Sequence, residues 1–219
     1  RQMCIRDRTR TGIWKSTDGG ITWRAVYGEG AHHVAFHPLD PSKMFASIGD
    51  TPGGILMSTN GGESWFNPQW HYIYPSEYAF HPTDPDKIWV GYSQYWGPSV
   101  NRMGVAYSTN GGWTWSEAKF GYGLVSSLVL DPNNPSTLYV ACPYGIYGGI
   151  DYTGVWKSTD SGFTWTKKNT GLVNSYVMKL VIDKMTGSLY AATALGVFLS
   201  KDGAESWTSI SPVSELPHQ

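Results

Sequence analysis

Five copies of one eight-residue phrase contain the residues that could most readily do chemistry. The first copy, STDGGITW, begins at Ser16 and joins a hydroxyl, a carboxylate, two glycines and a tryptophan. Its Asp18 could act as a general acid, or it could accept backbone N–H hydrogen bonds that hold a turn. Asn60 and Asn110 occupy the same position in two later copies, and an amide cannot supply a catalytic proton. The substitution favours a structural acceptor.

The phrase is predicted to form the hairpin between the third and fourth strands of a repeated unit. Its glycines permit positive φ, and its tryptophan is expected to pack beneath the turn. In the fifth copy Ala204 replaces a glycine, so we expect strain and a reshaped hairpin if that position needs positive φ. The acceptors and tryptophans are Asp18 and Trp23, Asn60 and Trp65, Asn110 and Trp115, Asp160 and Trp165, and Asp202 and Trp207.

The spacing of the copies predicts a repeat architecture. Their first serines are 42, 50, 50 and 42 residues apart, and each period also contains two alternating apolar runs joined by a Pro- or Asp-rich turn. A period in the forties with strand-like content is typical of propeller blades. The predicted fold class is all-β, a β-propeller of four-stranded antiparallel blades, with about four and a half blades and an incomplete ring. We expect a half blade at about 12 to 26 and full blades at about 31 to 69, 76 to 119, 124 to 169 and 175 to 211.

The repeated phrase resembles the Asp-box, or BNR repeat, with the pattern S-x-D-x-G-x-[TS]-W. Together with the HP-x-D-P turns that follow two strands, it is similar to the propellers of family 74 xyloglucanases, sialidases, sortilin and a photosystem assembly factor. The resemblance covers roughly residues 12 to 210 and implies a propeller that is a fragment of a larger ring. It leaves the function open between a glycoside hydrolase and a protein-interaction propeller, because one architecture hosts unrelated activities.

Composition and charge exclude several classes of function. The chain has 16 basic and 17 acidic residues, a formal net charge of −1, so we expect no nucleic-acid partner. No apolar run approaches the length of a membrane span. Cys4 and Cys142 form neither a disulfide framework nor a metal knuckle, and we expect no cofactor and no metal. His37 and His81 occupy turn positions that aspartates take in later repeats, so both are expected to cap turns.

The two ends of the chain are expected to lie outside the propeller. The first ten residues contain four arginines, whereas the rest of the chain has two. We therefore expect a non-native or disordered segment at 1–10, the Asp-box propeller segment at 11–212 and a tail at 213–219. The resemblance implies an extracellular or periplasmic location, although no signal peptide is visible.

Aromatic loops are expected to form a ligand-binding face. In a four-stranded blade the Asp-boxes and Pro-rich turns share one face, and the loops between second and third strands and between blades share the other. Flat rings with a polar edge suit stacking on sugars, so a polysaccharide or oligosaccharide is the expected partner, with a protein as the alternative. Some of these rings could instead only seal the ends of blades. The predicted ligand-binding residues are Trp70, Tyr72, Tyr74, Tyr95, Trp96, Tyr122, Tyr144, Tyr147, Asp151 and Tyr152.

Asp50 is the candidate catalytic carboxyl. Its segment resembles the family 74 stretch in which a carboxylate follows the second strand of a blade and precedes two glycines. The family's partner acid comes from a separate propeller, so the pair is not complete in this chain. Asp50 could equally be a loop residue that caps a turn. A sialidase site would need three arginines, and the repeats contain only Arg24 and Arg102.

Overall fold

The computed structural model describes residues 4–9, 12–49, 53–68, 73–95, 101–173 and 175–211, with the backbone alone for 4–9, 95 and 101. All regular secondary structure in these residues is β-strand. The chain divides into two compact units, Arg1–Tyr122 and Gly123–Gln219.

The first unit contains three antiparallel sheets in which strands adjacent in sequence are paired. Sheet 1 consists of β1 (Cys4–Thr9), β2 (Gly12–Ser16) and β3 (Arg24–Tyr27). Sheet 2 consists of β4 (Ala31–Phe36), β5 (Met44–Ile48) and β6 (Gly54–Ser58). Sheet 3 consists of β7 (Tyr74–Phe80), β8 (Ile88–Tyr95), β9 (Asn101–Ser108) and β10 (Ser116–Tyr122).

The second unit contains two four-stranded sheets and one short hairpin. Sheet 4 consists of β11 (Ser127–Leu130), β12 (Leu138–Cys142), β15 (Gly154–Ser158) and β16 (Thr166–Lys167). Between β12 and β15, the strands β13 (Ile146–Tyr147) and β14 (Ile150–Asp151) form a separate hairpin. Sheet 5 consists of β17 (Val177–Ile182), β18 (Leu189–Thr193), β19 (Gly196–Ser200) and β20 (Thr208–Ser209).

Apolar alternation explains why the sheets stack within each unit. Successive side chains of a strand point to opposite faces of its sheet. In β5, Phe45 joins a buried cluster with Ile88 of sheet 3, whereas Ala46 joins a different cluster with Ile13 of sheet 1. A central strand is therefore buried on both faces, which is why all five residues of β5 are buried.

The predicted fold class is confirmed, with three local differences. The fourth strand of sheet 2 is reduced to an isolated bridge between Met57 and Phe66. Sheet 1 has three strands, because β1, which lies within the segment 1–10, pairs with β2. The hairpin β13–β14 was not predicted, although IYGGI is a short-turn signal in which two apolar residues flank Gly-Gly.

The repeated phrases form five hairpins, residues 16–23, 58–65, 108–115, 158–165 and 200–207, which are called the first to fifth hairpins below. Three of them bond the Pro-rich turn of their own sheet through a backbone N–H. Gly61 donates to Ser42 O, Gly111 to Asp86 O and Ser161 to Ser136 O, at 2.8, 2.9 and 2.8 Å. Hairpins and Pro-rich turns therefore share one edge of their sheets, and the loops between second and third strands lie at the opposite edge.

Candidate functional site

The carboxylate of Asp18 accepts hydrogen bonds from within its own hairpin. It accepts hydrogen bonds from Ser16 Oγ at 2.8 Å, from the Thr22 N–H at 2.9 Å and from Thr22 Oγ1. Ser16 Oγ in turn accepts from the Gly20 N–H at 2.7 Å. The bonds from the Thr22 side chain, the Thr22 N–H and Ser16 lower the pKa of Asp18 to about 2. A carboxyl group with that pKa is ionised at neutral pH and is unsuited to donate a proton.

The asparagines make the same turn bonds as the aspartates. Asn60 Oδ1 accepts from the Ser64 N–H at 3.0 Å, and its Nδ2 donates to Ser64 Oγ at 2.8 Å. Asn110 makes the equivalent pair with Thr114, at 2.9 and 2.8 Å. The amide nitrogen donates a hydrogen bond where a carboxylate oxygen would accept one. The hydroxyl of the Ser or Thr four residues later therefore accepts instead of donating, and the geometry of the turn is unchanged. The position therefore requires an acceptor and not an acid.

The fifth residue of every hairpin has positive φ. The φ angles are 92° at Gly20, 78° at Gly62, 92° at Gly112, 94° at Gly162 and 70° at Ala204. Ala204 therefore occupies a region that L-residues adopt at a cost, as expected. The expectation of a reshaped fifth hairpin is wrong, because Ala204 N–H still donates to Ser200 Oγ at 2.9 Å and Ser206 N–H to Asp202 Oδ1 at 3.0 Å.

The indole N–H groups show that the five tryptophans are not equivalent. Trp23, Trp115 and Trp165 each donate to the carbonyl of the glycine three residues earlier, at 2.9–3.0 Å. Trp207 instead donates to Lys168 O at 2.9 Å, which joins sheet 5 to the segment that follows sheet 4. Trp207 is also the most buried of the five, with 4% of its surface exposed.

The histidines of the Pro-rich turns accept backbone hydrogen bonds. His37 Nδ1 accepts from the N–H groups of Leu39 and Asp40, at 3.2 and 3.1 Å. His81 Nδ1 accepts from Thr83 and Asp84, at 3.3 and 3.1 Å. The prediction that both histidines cap turns is confirmed. Burial, followed by the charge of Lys43, lowers the pKa of His37, so its ring is neutral at physiological pH.

The hairpin β13–β14 presents aromatic rings at the edge opposite the repeated hairpins. It is closed by the Tyr152 N–H, which donates to Gly145 O at 2.7 Å. Its turn is formed by Gly148 and Gly149, with φ of 59° and 81°. Tyr144 and Tyr147 are 48% and 45% exposed. Two of the predicted ligand-binding rings are therefore partly exposed to solvent, Tyr147 on strand β13 and Tyr144 in the segment just before it.

An ionised polar group lies at the end of the same hairpin. Asp151 accepts from Thr153 Oγ1 at 2.6 Å and from the Thr153 N–H at 2.8 Å, and it pairs with Lys167 Nζ at 3.1 Å. Burial alone would raise the pKa of Asp151, but the hydrogen bonds from Thr153 and Lys167 outweigh that effect and lower it. Asp151 is therefore an ionised acceptor and a poor candidate for a general acid.

Further contacts connect this loop to the segment that precedes sheet 5. The Tyr152 ring stacks on Trp156 with centroids 6.2 Å apart, and Trp156 Nε1 donates to Tyr152 O at 2.9 Å. The hydroxyl oxygens of Thr153 and Ser175 are hydrogen-bonded to each other at 2.6 Å. The next residue, Tyr176, is 43% exposed and was not predicted as a ligand residue. Its position immediately before an alternating strand was the signal that could have identified it.

The other predicted residues are only partly covered by the structure. Tyr74 and Tyr122, both of the first unit, are partly exposed. Tyr95 ends strand β8, and its side chain is not described. The remaining predictions fall outside the described residues, namely Asp50, Trp70, Tyr72 and Trp96.

In the part of the chain that the structure describes, no group of three or more His, Cys, Asp or Glu side chains is arranged to hold a metal ion. The same residues include no helix with the length and hydropathy that crossing a bilayer requires.

Comparison with known proteins identifies the architecture. No family model matches the chain, and no curated protein matches it. The crystal structure of an ancestral GH74 enzyme matches with a TM-score of 0.75 and 22% identity, over 94% of this chain and 29% of that chain. The GH74 enzyme of Niastella koreensis matches with a TM-score of 0.73 and 20% identity, over 94% and 36%. The chain has a β-propeller fold.

A second kind of propeller matches less closely. The structure of YCF48 bound to D1 peptide has a TM-score of 0.53 and 14% identity, over 81% of this chain and 52% of that chain. The chain thus spans about a third of the GH74 structures and about half of YCF48. At these identities the likeness concerns the fold alone.

Proposed function

We propose that this chain is an Asp-box propeller segment that binds polysaccharide through the tyrosine-bearing edge of its second unit. The exposure of Tyr147 on the paired hairpin β13–β14, and of Tyr144 just before it, is the observation that supports the proposal most directly. A ring held by backbone pairing loses little conformational freedom when a sugar stacks on it. Asp151 at the end of the same hairpin and Lys167, its ion-pair partner, supply an acceptor and a donor for carbohydrate hydroxyls. Such a ligand fits an extracellular or periplasmic location.

The five hairpins support the Asp-box assignment. Each contains an Asp or Asn that accepts the N–H of the residue four positions later, as Asp160 does for Thr164 at 2.9 Å. Glycine, serine or alanine adopts positive φ between these two residues. The same hydrogen bond occurs in all five hairpins, so each is the same kind of turn, closed by the side chain of its own Asp or Asn.

Binding to soluble xyloglucan oligosaccharides and a panel of other polysaccharides, measured by isothermal titration calorimetry on the full chain, tests the proposal. Tyr144→Ala and Tyr147→Ala should each weaken binding about two- to tenfold, since an aromatic stacking contact is worth about 0.5–1.5 kcal/mol. Phe163→Ala is the matched control, because Phe163 is a 57% exposed ring in the fourth hairpin, which belongs to the same unit and lies at the opposite sheet edge. The proposal fails if the wild type binds no polysaccharide, or if Phe163→Ala weakens binding as much as the tyrosine variants.

A catalytic role for Asp50 is a separate part of the proposal. The resemblance of its segment to family 74 supports that role, and the lowered pKa of Asp151 makes that residue a poor alternative acid. Because the pair is incomplete in this chain, we expect release of reducing sugar when the chain is mixed with a separate propeller that carries the partner acid, and loss of that release, without loss of binding, for Asp50→Asn. Equal release by both proteins would show that Asp50 is not the acid.

A protein partner is the second candidate function. Ile146 and Ile150, on the same hairpin, are 76% and 56% exposed, and exposed aliphatic side chains suit a protein interface better than a sugar. Ile146→Ser and Ile150→Ser should then abolish binding to the D1 peptide used with YCF48 and leave polysaccharide binding unchanged. Loss of polysaccharide binding in these variants would contradict the proposal that the isoleucines contact a protein and the tyrosines contact polysaccharide.

A further inference from the structure

The first side chain of each turn between the first two strands of a sheet accepts backbone hydrogen bonds. In each turn the N–H of the first residue also bonds the carbonyl of the last, and the four turns are residues 37–43 in sheet 2, 81–87 in sheet 3, 131–137 in sheet 4 and 183–188 in sheet 5. The side-chain acceptor is a histidine in the first unit, at His37 and His81. It is an aspartate in the second unit, at Asp131 and Asp183. The two units therefore close equivalent turns with acceptors of different chemistry.

His37 is the most enclosed of these four acceptors. It has 2% of its surface exposed, whereas the other three are partly exposed. Its Nδ1 accepts from the N–H groups of Leu39 and Asp40, at 3.2 and 3.1 Å. The ring of Phe80, from sheet 3, packs against it with the two centroids 4.9 Å apart. An imidazole nitrogen accepts a hydrogen bond only while it carries no proton, so the closed turn requires a neutral ring with its proton on Nε2.

Protonation of His37 is incompatible with the closed turn. A proton on Nδ1 converts the acceptor into a donor that faces two N–H donors, those of Leu39 and Asp40. The charged ring would also be removed from water, because the residue is buried. Opening of the turn lets water hydrate both the ring and the two amides. The same change at His81 costs less, because that residue is partly exposed.

The charged groups around His37 come from its own turn and from the turn of sheet 3. Lys43 opposes protonation of the ring, whereas the carboxylates of Asp40 and Asp86 and the carbonyl of Pro85 favour it. Asp86 is 60% exposed and lies 4.0 Å from Lys43 Nζ, so water and that lysine both weaken its effect. Burial, followed by the charge of Lys43, outweighs the favourable groups and holds the pKa of His37 below the ordinary value of 6.5.

The turn that begins at His37 contacts two of the repeated hairpins. Its Ser42 carbonyl accepts the Gly61 N–H of the second hairpin at 2.8 Å. Its Lys43 side chain occupies the space that a side chain on Gly111 of the third hairpin would need. Opening of residues 37–43 therefore removes a hydrogen bond from the second hairpin and a packing contact from the third.

We propose that His37 makes the turn at 37–43 a pH-sensitive switch, closed at neutral pH and open at mildly acidic pH, while the aspartate-capped turns of the second unit stay closed. Asp131 Oδ1 accepts from the N–H groups of Asn133 and Asn134 at 2.9 and 3.2 Å, in the same pattern as His37. An ordinary carboxylate stays ionised down to about pH 4, whereas an ordinary imidazole gains a proton near about pH 6.5. Between these two values, only the histidine caps change from acceptor to donor.

Amide hydrogen exchange of the full chain, measured by NMR and corrected for the intrinsic effect of pH on exchange, tests the proposal at Leu39 and Asp40. Below about pH 6.5 the open turn binds a proton that the closed turn excludes, so the closed turn loses stability as the pH falls. From pH 7.5 to pH 5 the open fraction should rise about threefold for a small lowering of the histidine pKa and about thirtyfold for a large one. The Asn133 and Asn134 amides are the internal control and should keep their protection.

Two substitutions of His37 separate titration of the ring from the shape of the turn. His37→Asn keeps an acceptor that gains no proton, and His37→Asp introduces the acceptor that sheets 4 and 5 use. Either variant should remove the pH dependence at Leu39 and Asp40. His32→Asn is the matched control, because His32 is an exposed histidine in β4 of the same sheet, and it should leave the pH dependence unchanged.

The comparison of the two turns in the wild type decides the proposal even if a His37 variant does not fold. Unchanged protection of Leu39 and Asp40 at pH 5 would overturn it. So would an equal loss of protection at Asn133 and Asn134, or a pH dependence that persists in a folded His37→Asn variant.

Discussion

Replacement of Trp207 by alanine should destabilise the chain more than any other hairpin tryptophan substitution. The indole is 4% exposed, and its buried neighbours include Leu180 and Phe198. A tryptophan buries about 150–250 Å², which at about 25 cal/mol per Å² corresponds to about 4–6 kcal/mol. The substitution also leaves Lys168 O without its donor. Since buried Trp→Ala changes cost about 3–5 kcal/mol, we expect a loss of about 4 kcal/mol.

Urea denaturation of the full chain, followed by far-UV circular dichroism, measures this loss. Trp23→Ala is the matched control: it occupies the same hairpin position, but its side chain is partly exposed and its N–H bonds only Gly20 O. We expect the control to lose about 1–2 kcal/mol. The two variants could lose the same free energy of unfolding, or Trp207→Ala could lose less than about 1 kcal/mol. Either result would refute the argument that burial between sheets determines how much a hairpin tryptophan stabilises the chain.

Two further predictions concern the turns of the hairpins. Ser161→Gly should raise the free energy of unfolding by about 0.5–1 kcal/mol, because Ser161 has a φ of 63° and glycine adopts that angle without strain. Ala204→Gly should raise the free energy of unfolding by less, because it also removes a buried methyl group. Asp18 and Asp202 have pKa values of about 2, below the ordinary 3.8, so the stability that they contribute is present above pH 4 and is lost as pH falls toward 2. Thermal melts of Asp18→Asn with Asp202→Asn should show a weaker pH dependence in that range, and an unchanged dependence would contradict it.

The strands and hairpins could be predicted because their signals are local. A Ser, an Asp or Asn four residues before a Ser or Thr, and an intervening glycine specify a closed turn without reference to the rest of the chain, as Ser16 and Asp18 illustrate. The two Pro-rich turns capped by His37 and His81 follow from the same kind of short-range bonding. The repeat spacing then implied stacked sheets, because one blade cannot bury both of its faces alone.

The candidate site was less accessible from the sequence, because exposure depends on contacts between distant residues. The sequence indicated Tyr144, Tyr147 and Tyr152 with equal weight, yet Tyr152 is stacked on Trp156, whereas the other two are about half exposed. Tyr176 was missed because its nearest link to the site is the bond between Ser175 and Thr153, 22 residues apart.

By itself, the sequence determined an all-β repeat with five hairpins, each closed by an Asp or Asn side chain. Only the tertiary structure decided how far each aromatic ring is buried: Tyr139 of β12 is 2% exposed, whereas Tyr190, at the corresponding position of β18, is partly exposed. It also decided that Trp207 bonds Lys168 rather than its own hairpin. A short stretch of sequence determines a turn or a strand through hydrogen bonds between residues that are close in the chain. Burial depends instead on the neighbouring sheet that packs against a residue, and the residues of that sheet lie elsewhere in the sequence.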